Sequence, residues 1–111
     1  MSEKISNIDR ICGFLGLCKR AGKVITGQES CVELARSGQA ALILADESVS
    51  ENTSKRIRNT CETHNVPYFF LPDGRLGQAI GQPNRMIAAM KSDQMAQKLL
   101  HLLQESTITN L

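Results

Sequence analysis

Residues 40–45 form a continuously apolar run, Ala-Ala-Leu-Ile-Leu-Ala. A strand that lies between two covering layers needs apolar side chains on both faces, so it lacks the alternation of a half-exposed strand. Stretches with helical spacing of apolar residues precede and follow this run. We therefore predict an α/β fold, a three-layer α-β-α sandwich built on a small mixed four-stranded sheet.

Helices and strands are predicted to alternate along a single domain spanning residues 1–111, because about 150 residues is typical of one domain. The predicted strands are residues 23–26, 40–45, 66–71 and a last one from 84 or 85 to 90. The first predicted helix is capped by Ser6 or Asn7 and closes at residues 19–22. Further helices are predicted at residues 27–38, 50–64 and 75–80, and a final one is opened by Ser92. Residues 105–111 are expected to form a frayed tail.

The charge balance of the chain is weakly basic. It has 13 Lys and Arg against 11 Asp and Glu, a formal net charge of +2, which excludes proteins that hold nucleic acid by charge alone. No apolar run approaches the roughly 20 residues needed to span a bilayer. Charged residues Glu3, Lys4, Asp9 and Arg10 stand where a secretory signal needs its apolar segment, so a cytoplasmic location is expected.

The four cysteines are expected to be buried, reduced thiols. They are Cys12, Cys18, Cys31 and Cys61, and their irregular spacing includes no CxxC pair. Cys61 and His64 are one helical turn apart, but a zinc site needs about four ligands. We therefore expect no metal and no cofactor.

Signals for catalysis are weak. No glycine-rich nucleotide loop follows a predicted strand. The two histidines, His64 and His101, are explained as surface or boundary residues, and the carboxylates form no repeated pair. The chain is predicted not to be an enzyme, and a thiol or small-molecule enzyme using Cys31 or Cys61 is the catalytic alternative.

Candidate binding residues surround the start of the second predicted helix. Lys19, Arg20 and Lys23 lie within five residues, where they would contact phosphates or, alternatively, complement the dipole of the first helix. Gly27 opens the next helix, whose free N–H groups are able to bind an anion. The side chains that would read base edges there are those of Gln28, Glu29 and Ser30.

A second candidate segment is residues 76–85, Leu-Gly-Gln-Ala-Ile-Gly-Gln-Pro-Asn-Arg. Gly77, Gly81 and Pro83 are also consistent with ordinary turn chemistry. The segment ends in Asn84 and Arg85, which would form an exposed loop. Beside the glycine-opened helix, this loop would complete a two-part clamp.

The order and spacing of these segments resemble the kink-turn RNA-binding superfamily of ribosomal proteins, the L-seven-Ae superfamily. The resemblance is closest to its short bacterial members, the YlxQ-type proteins, and covers residues 11–103. It is carried by residues 17–23, the helix opened by Gly27, the strand 41–45 followed by Asp46, residues 64–68, and Leu76-Gly77-x-Ala79-x-Gly81.

The resemblance implies an α-β-α sandwich with an RNA site. In the family, a Gly-x-Asn-Glu-x-x-Lys motif at a helix start enters the RNA major groove at sheared G·A pairs, and a later loop covers the flipped-out nucleotides of the bulge. Gly27 matches the motif's Gly, while Glu29, Ser30 and Glu33 stand at its Asn, Glu and Lys positions. The residues expected in the bulge-covering loop are Gly81, Gln82, Pro83, Asn84 and Arg85.

We therefore expect a non-catalytic RNA-binding protein that recognises a kink-turn or a similarly bent, bulged RNA duplex. Ribosomal RNA is among the expected ligands, and association with the ribosome or with translation is expected. The alternative is a protein-interaction or homodimer module on the same fold. It follows from Glu29 and Glu33 and from the modest net charge of +2, because the Glu33 carboxylate stands where the family has a cation and would weaken RNA recognition.

Overall fold

The computed structural model describes residues 3–106 and confirms the predicted sandwich. Its sheet consists of β1 (Val24–Thr26), β2 (Ala40–Asp46), β3 (Tyr68–Leu71) and β4 (Ile87–Lys91). The strands lie in the order β1-β4-β2-β3. β2 and β3 are parallel, whereas β4 is antiparallel to both β1 and β2. The sheet is therefore mixed and four-stranded.

Helices cover both faces of the sheet. Helices α1 (Glu3–Arg20), α4 (Arg75–Ile80) and α5 (Gln94–Glu105) share one apolar core, and α2 (Gln28–Arg36) and α3 (Glu51–His64) share the other. Along β2, Leu42 and Leu44 enter the first core, while Ile43 and Ala45 enter the second. This alternation explains why the run 40–45 is apolar throughout.

Some predicted boundaries were wrong. Helix α1 already begins at Glu3, so Ser6 and Asn7 lie within it. One Ser or Asn inside a helix costs only a few tenths of a kcal/mol, so neither residue must end it. Helix α5 is capped by Asp93 rather than Ser92, because an Asp93 carboxylate oxygen accepts from the Ala96 N–H at 2.8 Å.

Three strands begin later than predicted, β1 at Val24, β3 at Tyr68 and β4 at Ile87. Before β4, the Arg85 N–H donates to the Gln82 carbonyl at 2.9 Å, so residues 82–85 form a turn instead of extended strand. Glu105, the first residue of the predicted tail, is the last residue of α5. Residues 107–111 of that tail lie outside the described residues.

The predicted burial of the cysteines is confirmed, because all four are buried, free cysteines in the structure. Burial raises the pKa of the Cys31 and Cys61 thiols to about 12, so both stay protonated at neutral pH. Within residues 3–106, no group of three or more His, Cys, Asp or Glu side chains is placed to hold a metal ion. Among the same residues, no helix has the length and apolar character needed to cross a membrane.

Candidate functional site

A cleft of about 240 Å³ lies where the starts of α2 and α3 meet the loop that precedes β4. Antiparallel pairing of β1 with β4 brings the start of α2 next to this loop. Directly after β1, the Gly27 N–H donates to the Ile87 carbonyl at 3.0 Å. The cleft is lined by Gly27, Gln28, Val49, Ser50, Thr53, Asn84, Arg85, Met86 and Ile87. The helix start and the loop that the sequence predicts as a two-part clamp therefore share one cleft.

Gly27 forms the α2 edge of this cleft. Its φ of 99° and ψ of 143° lie in a region that favours glycine, and no side chain caps the helix that follows. The first backbone N–H groups of α2 therefore have no intrahelical carbonyl partner. A Cβ added at Gly27 would lie 3.2 Å from Nη1 of Arg85, so the guanidinium sits directly beside this backbone.

The loop on the other side of the cleft is built against α4. The Gln82 N–H donates to the Gly77 carbonyl at 2.9 Å. A Cβ at Gly77 would lie 2.9 Å from the Gln82 carbonyl oxygen and 3.0 Å from Cα of Pro83, so only glycine fits there. Gly81 ends α4 with a φ of 70°. The turn chemistry inferred for Gly77 and Gly81 is thus what places Asn84 and Arg85 at the cleft.

Asp46, which the sequence analysis names only as the residue after strand 41–45, holds the loops at Ser48 and Gly74 together. Its carboxylate, 2% exposed, accepts hydrogen bonds from the Ser48 N–H at 2.8 Å, the Ser48 hydroxyl at 2.6 Å and the Gly74 N–H at 2.7 Å. Its own N–H donates to the Met86 carbonyl at 2.8 Å. Burial acts to raise the Asp46 pKa, but the hydrogen bonds from Ser48 and Gly74 outweigh it and lower the pKa below its ordinary value.

Glu29 is paired with a residue that sequence reasoning missed as a site residue. Both carboxylate oxygens are bound by Arg56 of α3, at 2.6 Å to Nη1 and 3.1 Å to Nη2. The hydrogen bond and positive charge of Arg56 lower the pKa of Glu29, and the same contact raises that of Arg56. No local pattern marks Arg56, because the two residues are far apart in the chain and meet only when α2 packs on α3.

The cations of the first candidate segment lie away from the cleft. Lys23 is at the opposite end of β1 from Gly27, roughly 13 Å along an extended strand, and it pairs with Asp93 at 3.4 Å. Lys19 and Arg20 end α1 close by. The structure therefore brings Gly27 and Gln28 together with Asn84 and Arg85, but it separates Lys19, Arg20 and Lys23 from them.

Ser30 and Glu33 point away from the cleft as well. Both are exposed on α2 and line a shallow groove along the edge of the sheet, together with Ile25 of β1 and Lys91 of β4. Glu33, at the position where the resemblance implies a cation, forms no ion pair with any of residues 3–106.

The family model described as Ribosomal protein L7Ae/L30e/S12e/Gadd45 matches residues 9–101. The chain belongs to this family. The match confirms the resemblance derived from the glycine-opened helix and from the Leu-Gly-x-Ala-x-Gly segment. Because the family is one of ribosomal proteins and its relatives here are named as RNA-binding proteins, the prediction that the chain is not an enzyme is confirmed.

Relatives within the family include YlxQ-type proteins, as the resemblance indicates. The chain is 36% identical over 91 residues to RNA-binding protein YlxQ of Bacillus subtilis (strain 168), covering 81% of this chain and 91% of that protein. It is 32% identical over 81 residues to RNA-binding protein YlxQ of Enterococcus faecium, covering 72% of this chain and 79% of that one.

Solved structures share the fold. A protein with unknown function from Bacillus halodurans C superposes with a TM-score of 0.79 at 28% identity, covering 86% of this chain and 97% of that one. The Giardia lamblia 15.5kD RNA binding protein superposes with a TM-score of 0.75, covering 95% of this chain and 88% of that one. At 14% identity, this second likeness shows the fold alone.

Proposed function

We propose that this protein binds structured RNA without catalysis and recognises a kink-turn or a similarly bent, bulged duplex. The proposal includes association with the ribosome or with translation, and ribosomal RNA as a ligand. It also includes a cytoplasmic location, because protein thiols such as these four stay reduced in that compartment.

One observation carries the proposal: the uncapped start of α2 and the Arg85 guanidinium lie side by side in the cleft. Backbone N–H groups at a helix start and an Arg fork both suit phosphate oxygens. Arg85 is exposed and forms no ion pair with the described residues, so its charge is available to a ligand. A bent RNA offers phosphates and unstacked bases at one place, which a straight duplex does not.

The residues divide by role under this proposal. Gly27 and Gln28 would contact base edges at the cleft, whereas Glu29 and Ser30 lie on the next part of α2, outside the cleft lining. Residues 82–84 would cover the unstacked nucleotides, and Arg85 would hold a phosphate. Lys19, Arg20 and Lys23 would meet backbone phosphates beyond the bend, because they lie at the far end of β1.

The test is an Arg85→Ala substitution, assayed by titration with a kink-turn RNA. Loss of a charged hydrogen-bonding contact is expected to weaken binding by about tenfold or more. Arg36→Ala is the matched control, because it removes an exposed arginine at the other end of α2. Equal affinities for the two variants would remove the loop from the RNA site.

A protein-interaction or homodimer module is the second candidate function, and the groove beside Glu33 favours it. This groove holds two acidic residues, Glu29 and Glu33, and a basic one, Lys91, around the apolar Ile25. Sedimentation of the free protein across concentrations distinguishes the two functions. A dimer that forms without RNA, together with no preference for bent RNA, would support the module and contradict the RNA proposal.

A further inference from the structure

Arg56 lies on α3 one helical turn beyond the cleft and is not one of its lining residues. It lies three positions after Thr53, which lines the cleft, so both side chains project from the same side of α3. Its partner Glu29 follows Gln28, another lining residue. The Glu29–Arg56 pair therefore bridges α2 and α3 one helical turn away from the cleft.

The geometry of this pair leaves part of the guanidinium open. Arg56 binds Glu29 end-on, through Nη1 and Nη2. Its Nε–H has no hydrogen-bond partner among residues 3–106, and its side chain is 41% exposed. The edge formed by Nε and the neighbouring Nη nitrogen remains accessible, and that edge fits two oxygens of a phosphate.

The charge distribution around the cleft favours phosphate binding at this open edge. Arg85 is the charged side chain that lines the cleft within the described part of the chain. Along α2, the first exposed ionisable side chains are the carboxylates Glu29 and Glu33, which would repel a phosphate backbone. Arg56 neutralises Glu29 and brings a cation to this side from the neighbouring helix.

We propose that Arg56 is a backbone-phosphate contact of the RNA interface and that Glu29 positions it. This inference rests on the proposed RNA function and assigns to that site a cation from α3. Glu29 then acts through Arg56, which binds both of its carboxylate oxygens. Holding the guanidinium in the unbound protein lowers the entropy cost of the phosphate contact.

A double-mutant cycle with kink-turn RNA tests both parts. Arg56→Ala is expected to weaken binding by about tenfold. It is also expected to reduce the slope of log K against log salt concentration by roughly 0.7–0.9, the contribution of one phosphate contact. Arg56→Lys keeps the charge but loses the fork, so it is expected to restore only part of the affinity. Lys55→Ala is the control, because it removes an exposed cation from the adjacent position of α3.

Substitution of Glu29 distinguishes two roles for this carboxylate, positioning Arg56 or simply repelling RNA. Glu29→Ala is expected to weaken binding in the natural background, because Arg56 is released. In the Arg56→Ala background it is expected to leave binding unchanged or to tighten it, because only a negative charge is lost. Tightening in both backgrounds would show that Glu29 merely repels RNA and would overturn its positioning role. Thermal unfolding of each variant confirms that the compared proteins are folded.

RNA binding by the unmodified protein distinguishes failure of the Arg56 inference from failure of the proposed function. If it prefers the kink-turn over a straight duplex while Arg56→Ala and Lys55→Ala behave alike, the Arg56 contact is overturned and the RNA function stands. If the unmodified protein shows no preference, the proposed function fails and the Arg56 inference fails with it.

Discussion

Gly27 meets two demands at the residue scale, a backbone conformation that favours glycine and close approach by Arg85. Gly27→Ala is expected to reduce the free energy of unfolding by about 1–3 kcal/mol and to weaken RNA binding, because the new methyl displaces the guanidinium. Urea unfolding and RNA titration measure the two effects. Gly13→Ala is the control: a Cβ there meets nothing within 4 Å, so this exposed helical position is expected to gain stability or stay unchanged.

Asp46 is expected to make the free energy of unfolding depend on pH in the acidic range. Because its pKa is lowered on folding, its contribution is complete above the unfolded value of about 3.9 and is lost as pH falls through the lower, folded pKa. Asp46→Asn removes the carboxylate at every pH and is expected to cost about 1–3 kcal/mol near neutrality. Urea unfolding from pH 7 to 3 should show the gap between the two proteins closing in acid. A constant gap would contradict the assignment.

At the scale of elements, the start of the last helix was predicted at Ser92, whereas the structure has Asp93 as its cap. Ser92 and Asp93 are both good capping residues, and only the backbone decides which one reaches the free N–H groups. Asp93 accepts from the Ala96 N–H and also pairs with Lys23. Asp93→Ala is therefore expected to lower the free energy of unfolding by about 1 kcal/mol, and Ser92→Ala by much less. The reverse order in urea unfolding would restore Ser92 as the cap.

The strengths and failures of the sequence prediction at this scale have physical causes. Helix α4 was predicted with its observed ends, because the turn before it and Gly81 after it are strong local signals. The start of β4 was misplaced, because the turn at residues 82–85 depends on Gly77 packing against Gln82. A helix-end contact of this kind leaves no trace in the periodicity of apolar residues.

At the scale of the whole molecule, the layered α/β architecture follows from one buried strand between helical segments, but the order of the strands does not. Pairing β1 with β4 joins segments more than 60 residues apart. This pairing decides which candidate residues meet: it brings Gly27 to Arg85 and leaves Lys23 at the far end of the strand. The sequence predicts the two segments of the clamp. The cleft between them and the Glu29–Arg56 ion pair are visible only in the tertiary structure.

The central claim is that this small, weakly charged protein recognises the shape of a bent RNA instead of binding any polyanion. Its net charge of +2 is too low for tight binding through backbone phosphates alone. The most direct measurement is a titration of the purified protein with a kink-turn RNA and with a straight duplex of matched length, each at two salt concentrations. We predict binding that is selective for the kink-turn and weakened by salt. Equal affinity for the two RNAs, with folding verified by circular dichroism, would contradict the claim.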